Sequence, residues 1–534
     1  MYSAGYDSSR IAVREIEERN LLAAKRKQAG VSFPSPRKQE HLLIVRLNFE
    51  PSAIKDIRVA RRGLRRLCNL FERLDKGIVK IDELSGDGTL HRVSVSNFNF
   101  SATIGFGIGF FKKLQVRSEL VPKNLYEMPS NIGLRDPVAY MLLQTDLIVQ
   151  LGSSKDVVNR WVFESDAYGG EEKSGGQVQR YDARASPNAP IDQGDDINVH
   201  DIVTAVKDWA IVTDVHSGFQ RLDGRNLMGF NDGISNVDRL RNEVVWTTKE
   251  DENEFLKDGT YMVFQKIEHD LEQWRRLSDD EKEKWVGRSK GTGLLLGTLS
   301  KSEDRKLASE LRSDDPLVSN PALARLRRLL REQDEPNEKV FDTSNPNFRK
   351  IQAECPVWSH VRKANPRSKY MDKYVKIFRR GYLFMENAPN YRVSSGLLFI
   401  CFQRNIKTGF EYIKKELLNN KDFPVPLIRK SFTREEIAER HRQGRFSETE
   451  LRSLGPHERS LLGLDSKDHF AQAVSDSQDV DTQNTGREGL SGPSKLGINP
   501  KGEPLATITL GGGYYFVPPI PRRKIADIAE QFFS

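Results

Sequence analysis

Apolar and polar residues alternate along His41–Phe49, the period-two pattern of a half-buried strand. The spacing then becomes helical. Leu64, Leu67 and Leu70 fall on one face of a predicted helix from about Ser52 to Asp75, with Ser52 as its N-cap and Gly77 just past its end. Strand-like runs return at Leu90–Thr103 and Asp146–Leu151, a helix is predicted at Lys155–Phe163, and Trp209–Val215 reads as another strand. Strand, helix, strand, strand, helix, strand is the order of a ferredoxin-like unit.

A second pass through that order begins at Gly259–Ile267. It continues with a helix Asp270–Trp285, with Leu271 and Trp274 on one face, and strands Val375–Leu383 and Gly396–Gln403. A helix Lys407–Leu418 then carries Phe410, Ile413 and Leu417 along one side, before a closing strand Leu505–Phe516. The chain therefore reads as α+β: two ferredoxin-like halves, each an antiparallel sheet flanked by helices. The expected divisions are a charged N-terminal arm (1–40), an N-terminal unit (41–220) and a C-terminal unit (221–534) interrupted at about 296–355 and 424–503. Leu323, Leu326, Leu329 and Leu330 give the first insertion an apolar stripe. The second is poor in apolar residues, and its Ser475–Pro493 stretch has the composition of a mobile or peripheral segment.

Length and composition narrow the classes. A chain of 534 residues, 37% of them hydrophobic, suits two domains with a substantial core. No apolar run reaches the ~20 residues of a spanning helix. The first thirty residues are charged, without the apolar centre of a secretory leader. Cys68, Cys355 and Cys401 show no metal-binding spacing, and so sparse a set fits a reducing compartment. A cytoplasmic location is expected, with no membrane partner. The net charge of +8, from 83 basic and 75 acidic residues, is too small an excess to indicate a nucleic-acid partner. The densest basic run, Arg58–Arg66, sits at helical spacing beside Leu64 and Leu67. It reads as the solvated face of an amphipathic helix, with a polyanion site as the alternative.

Three runs carry candidate chemistry. In Arg225–Asn236, Asp232 stands among apolar and amide side chains, with Gly229 and Gly233 close on either side. A carboxylate with few charged neighbours has its pKa raised on burial, toward proton-transfer work. The glycines let backbone approach a bulky flat ligand. Alone, such an Asp-Gly pair also reads as a solvated turn. The other two runs are Ser359–Arg367, containing His360, and Ile377–Tyr382, containing Arg379 and Arg380. A converging His, Asp and Arg would make a peroxide-handling haem pocket. Strand alternation puts Arg379 and Arg380 on opposite faces, with Arg380 expected at the surface.

Together these runs resemble the dye-decolourising (DyP-type) haem peroxidases. The family's GxxDG motif is matched by Gly229-Phe230-Asn231-Asp232-Gly233, its proximal-histidine segment by His360–Arg367, and its distal-arginine strand by Phe378–Tyr382. Val286–Gly293, Gly396–Gln403 and Gly511–Pro519 match further segments in the family's order, so the resemblance spans most of residues 210–520. It implies haem b held in the second half, with His360 as the iron ligand. Gly233, Ile234, Ser235, Asn365, Pro366, Arg367 and Arg379 would be further haem contacts. Ile234 stands where a threonine is expected, which removes a hydroxyl. Arg367 would suit a propionate, and Glu416 or Asp422 would accept the second ring N–H of His360. Asp232 would shuttle the proton that splits hydrogen peroxide, and Arg379 would stabilise the charge that develops on the way to a ferryl haem.

The implied activity reduces peroxide to water while oxidising dyes and other bulky organic reductants. Tyr370, Tyr374 and Trp358 are candidate relays to a surface reductant, and a homodimer is compatible with the reading. A haem-binding or iron-releasing protein without peroxidase turnover is the alternative from another class. The Asp232–Arg379 pair favours the enzyme, because binding alone needs no proton shuttle.

Overall fold

The computed structural model describes residues 27–28, 31, 39–75, 80–84, 90–94, 101–129, 143–153, 206–221, 223–231, 242–334, 355, 359–365, 375–387, 393–418, 507–521, 525 and 527–533. In chain order the main elements are β1 (His41–Phe49), α1 (Pro51–Lys55), α2 (Ile57–Asp75), β2 (Lys80–Leu84), β3 (Leu90–Ser94), β4 (Ser101–Phe106), α3 (Ile108–Lys113), β5 (Leu147–Ser153) and β6 (Ala210–Phe219). Then come α4 (Asn242–Val245), β7 (Thr260–His269), α5 (Leu271–Arg276), α6 (Asp279–Val286), α7 (Lys301–Glu310), α8 (Pro316–Asp334), α9 (His360–Ala364), β8 (Phe378–Arg379), β9 (Tyr382–Asn387) and β10 (Val393–Gln403). Last are α10 (Lys407–Leu418), β11 (Thr507–Val517) and α11 (Asp527–Phe533).

The first half-sheet has the order β4-β5-β1-β6 and the second β11-β7-β10-β9, all antiparallel. Both are the ferredoxin-like arrangement, in which the first and third strands lie at the centre. The halves join at two narrow seams, Phe106 opposite Phe516 and Phe219 opposite Leu383. With β7 also paired to β10, the strands close into a barrel whose two seams are each a single residue pair. Short β8 continues alongside β10 beyond the end of β9, with Arg379 opposite Cys401.

Alternation along the strands separates two cores. Leu43, Val45, Leu47, Val149 and Leu151 turn outward and pack with Leu64, Leu67 and Phe71 of α2 and Ile528 and Phe532 of α11. Leu42, Ile44, Ile148, Met262, Phe264, Leu398, Ile400, Phe402 and Tyr515 come from both halves and form the inner cluster. Polar groups share that interior. Arg46 pairs with Asp214 at 3.2 Å and donates to Tyr515 Oη at 3.2 Å, while His216 stacks on Phe264.

Closure explains one correction. Arg379 and Arg380 do alternate, but the second face is the barrel interior and not solvent. Arg380 is 1% exposed and donates to the Gln39 side chain. Other differences are local. Ser52 is not an N-cap: the first helix begins at Pro51, and the chain breaks at Asp56, whose Oδ1 accepts the Arg58 N–H at 3.0 Å. The expected helix Asp270–Trp285 is two helices, because Ser278 and Glu281 form a capping box that starts α6 afresh. The Val375–Leu383 strand is divided into β8 and β9. Leu90–Thr103 is divided too, since β3 pairs with β2 in a separate hairpin and only β4 enters the barrel. The helix expected at Lys155–Phe163 and the insertion at 424–503 lie outside the described residues.

Candidate active site

The loop that leads to Asp232 is a closed turn. Asn226 N–H donates to the Phe230 carbonyl at 2.8 Å, and the Asn226 side chain accepts the Phe230 N–H at 3.0 Å. Gly229 has φ +90°, a conformation that side-chain-bearing residues rarely adopt, so glycine is required here. Phe230 is buried against Trp274, whose Nε1 donates to the Met228 carbonyl at 3.0 Å, with Leu277 and Trp285 in the same cluster. The turn is thus stapled to α5 and α6. Asp232, Gly233, Ile234 and Ser235 lie outside the described residues.

A second loop, Gly287–Gly293, touches both candidate runs. On one side Arg225 Nη1 donates to the carbonyls of Gly229 and Lys290, each at 2.6 Å, and Asn231 Nδ2 reaches the Thr292 carbonyl at 3.4 Å. On the other side Gly287, at φ +88°, lies so close to Ser359 and Val361 that a Cβ would sit 2.3 Å from Ser359 Oγ. Cys355 Sγ donates to the Gly287 carbonyl at 3.3 Å. The loop is held from within by Arg288, whose Nη1 donates to the Gly293 carbonyl at 2.8 Å. It is held from outside by Asp304 of α7, which accepts from Ser289 Oγ at 2.5 Å and from Thr292 Oγ1. The first insertion therefore braces this loop.

His360 is the first residue of α9, half-buried, after the fully buried Ser359. Arg362 Nη1 donates to the Cys355 carbonyl at 3.1 Å, fixing how α9 leaves the preceding turn. Asn365 ends the helix as its C-cap, and Pro366 and Arg367 lie outside the described residues. Helix α9 packs against α6 and α10. Helix α10 has π-type bonding, with the Glu411 N–H donating to the Ile406 carbonyl five residues back at 2.9 Å. Its Ile413 and Leu417 also hold Val375 and Ile377, the residues that lead into Arg379. One helix thus supports both the His360 and the Arg379 segments.

Arg379 is half-buried on β8. Burial pushes the Cys401 thiol pKa up, and the charge of Arg379 pulls it the other way. Glu416 is exposed on α10, while Asp422, Trp358, Tyr370 and Tyr374 lie outside the described residues. Sequence reasoning passed over Glu411. It is buried on α10, accepts from Tyr514 Oη at 3.0 Å and pairs with Lys415 at 3.1 Å, tying α10 to β11. Its place opposite Tyr514 depends on the π-type winding, which the helical period did not reveal. Among the described residues no group of three His, Cys, Asp or Glu forms a metal site of its own, and no helix is long and apolar enough to cross a membrane.

Comparison with known proteins bears on the fold and on the C-terminal motifs. Residues 223–427 match the family model described as Dyp-type peroxidase, C-terminal. The fold is that of a DyP-type peroxidase from Cellulomonas bogoriensis, with a TM-score of 0.51 at 18% identity over 94% of this chain and 96% of that one. Among curated proteins, a deferrochelatase of Escherichia coli O6:K15:H31 is 29% identical over 198 residues, 36% of this chain and 37% of the relative. One of Shigella flexneri is 28% identical over 36% of this chain and 38% of its own length. The match therefore spans little more than a third of these relatives. Residues 223–427 are thus similar to the C-terminal region of DyP-type peroxidases, the family that the motifs and their order resemble.

Proposed function

We propose that the chain is a haem-dependent peroxidase that reduces hydrogen peroxide and oxidises bulky organic reductants such as dyes. The observation that carries this reading is the Gly287–Gly293 loop, hydrogen-bonded to Arg225 and Asn231 of the first run and packed against Ser359 and Val361 on either side of His360. Such a brace ties the residues just before Asp232 to the start of the His360 helix. The residues fit haem: a half-buried imidazole at the start of a short helix is an axial donor of the right kind, and glycine backbone lies close by.

Haem, when bound, would supply the iron that takes up peroxide and stores its oxidising equivalents. His360 would donate a ring nitrogen to the iron, and Asn365, Pro366, Arg367, Gly233, Ile234 and Ser235 would help hold the haem. Asp232 would take a proton from the inner peroxide oxygen and deliver it to the outer one, which then leaves as water. Arg379 would hold positive charge toward that departing oxygen, from a strand fixed by β10. An iron-releasing role is the second reading, favoured by the deferrochelatase relatives.

Reconstitution with haem, an absorption scan and a peroxide titration with a dye test the assignment. His360→Ala should lose haem; full occupancy with an unaltered spectrum in that variant would remove His360 from the role. Release of iron from haem without dye oxidation would favour the second reading.

A further inference from the structure

The basic run on α2 forms one side of a cavity of about 380 Å³, open to solvent and lined by Val59 and the exposed Arg62, Arg65, Arg66, Asn69 and Asp208. Positions 62, 65, 66 and 69 share one helix face by their spacing. The opposite wall is the turn Val206–Trp209, and it is held rigidly. Trp209 is fully buried flat against α2 at Gly63, where a Cβ would sit 2.1 Å from the indole Cγ. Asp208 has φ +74°, its carbonyl accepts from Ser52 Oγ at 3.4 Å, and Arg66 Nη2 donates to the Lys207 carbonyl at 3.1 Å.

Charge inside the cavity is unbalanced. Of the run's five arginines, Arg58 is paired with Asp56 at 2.9 Å and Arg61 with Glu530. Those two lie outside the cavity. Three guanidiniums line it against one carboxylate, Asp208, a formal excess of two positive charges among the lining residues. Of the three lining arginines Glu530 is paired with Arg65, at 3.7 Å, and it is shared with Arg61. Like charges one helical turn apart repel, and a guanidinium fork matches an oxyanion in geometry as well as charge. The cavity lies within the size range of small-molecule sites.

We propose that this cavity binds a small, multiply charged oxyanion of the phosphate type, independently of the haem site. Calorimetric titration of the whole chain with pyrophosphate should show saturable binding that weakens with salt, with inorganic phosphate binding less tightly. Losing one charge-assisted contact costs about tenfold in affinity, so the Arg62→Ala/Arg66→Ala double variant should bind roughly a hundredfold more weakly. Asp208→Asn removes the opposing carboxylate and should bind several-fold more tightly, a gain that damage to the fold would not give. No saturable pyrophosphate binding, or equal affinity in the double variant, would overturn the proposal. So would binding of a short oligonucleotide with none of pyrophosphate, which would mark the face as a polyanion surface.

Discussion

The two half-sheets share one strand order yet are covered differently. The first carries long α2 and the C-terminal α11, whose apolar side chains meet Leu43, Val45, Leu47 and Val149 in a continuous core. The second carries α9, with five residues, and α10. Beneath them Cys401, Tyr514 and Phe410 of α10 continue that apolar core, but Arg379 on β8 and Glu411, which accepts from Tyr514, add charged groups to it. One half spends its covering surface on stability. The other leaves room for polar side chains and loops, and the candidate site lies there. Equal topology therefore says little about function; what covers the sheet separates the two.

The largest effect expected of a single residue that leaves haem bound falls in the second half. Asp232→Asn or Arg379→Leu should slow the reaction with peroxide by about 10²–10⁴-fold while haem stays bound, as stopped-flow absorbance would show. Parental rates in both would move proton transfer to other residues. The first half should respond in the opposite way. Gly63→Ala drives a methyl group into buried Trp209 and should cost up to about 3 kcal/mol in denaturant unfolding, with haem affinity unaltered in the folded fraction. A matched loss of haem affinity would mean that the halves are not separable in this way.

A smaller effect tests the brace. Asp304→Ala strands the hydroxyls of Ser289 and Thr292 and should cost about 1–3 kcal/mol, along with weaker haem retention. Retention unchanged at that cost would show that the Gly287–Gly293 loop serves stability alone.

The smallest effect concerns the barrel. Burial of His269 pushes its pKa down to about 4, from about 6.5 in an unfolded chain. Between those values the unfolded chain binds the extra proton, so stability falls as pH drops from about 6.5 to about 4 and is undiminished above that window. His216 is shifted in the same direction, by burial that outweighs the opposing pull of Asp214. His269→Gln should flatten the decline seen in unfolding curves. A slope identical to the parent's would assign the acid sensitivity to other groups.

Much of this was legible in the chain itself. Period-two and period-3.6 spacing locates most of the described elements, including β1, β7, β10 and α10, and their order defines two ferredoxin-like halves. Gly229 and Gly287 stand where φ is positive, a demand so local that residue type alone signals it. The motif order resembles the DyP-type peroxidases, and residues 223–427 match the model of that family's C-terminal region. Tertiary structure decided the rest. Alternation says that Arg379 and Arg380 point to opposite faces, but only barrel closure makes the second face an interior and buries Arg380 beside Gln39. Spacing gives the first insertion an apolar stripe at Leu323–Leu330, but only packing puts Asp304 of α7 under the loop between the two candidate runs. The physical reason is the same in both cases. Periodicity is set by neighbours a few residues apart, whereas these contacts join residues 15 positions apart for Ser289 and Asp304 and 341 apart for Gln39 and Arg380, and no local pattern records which segment will arrive.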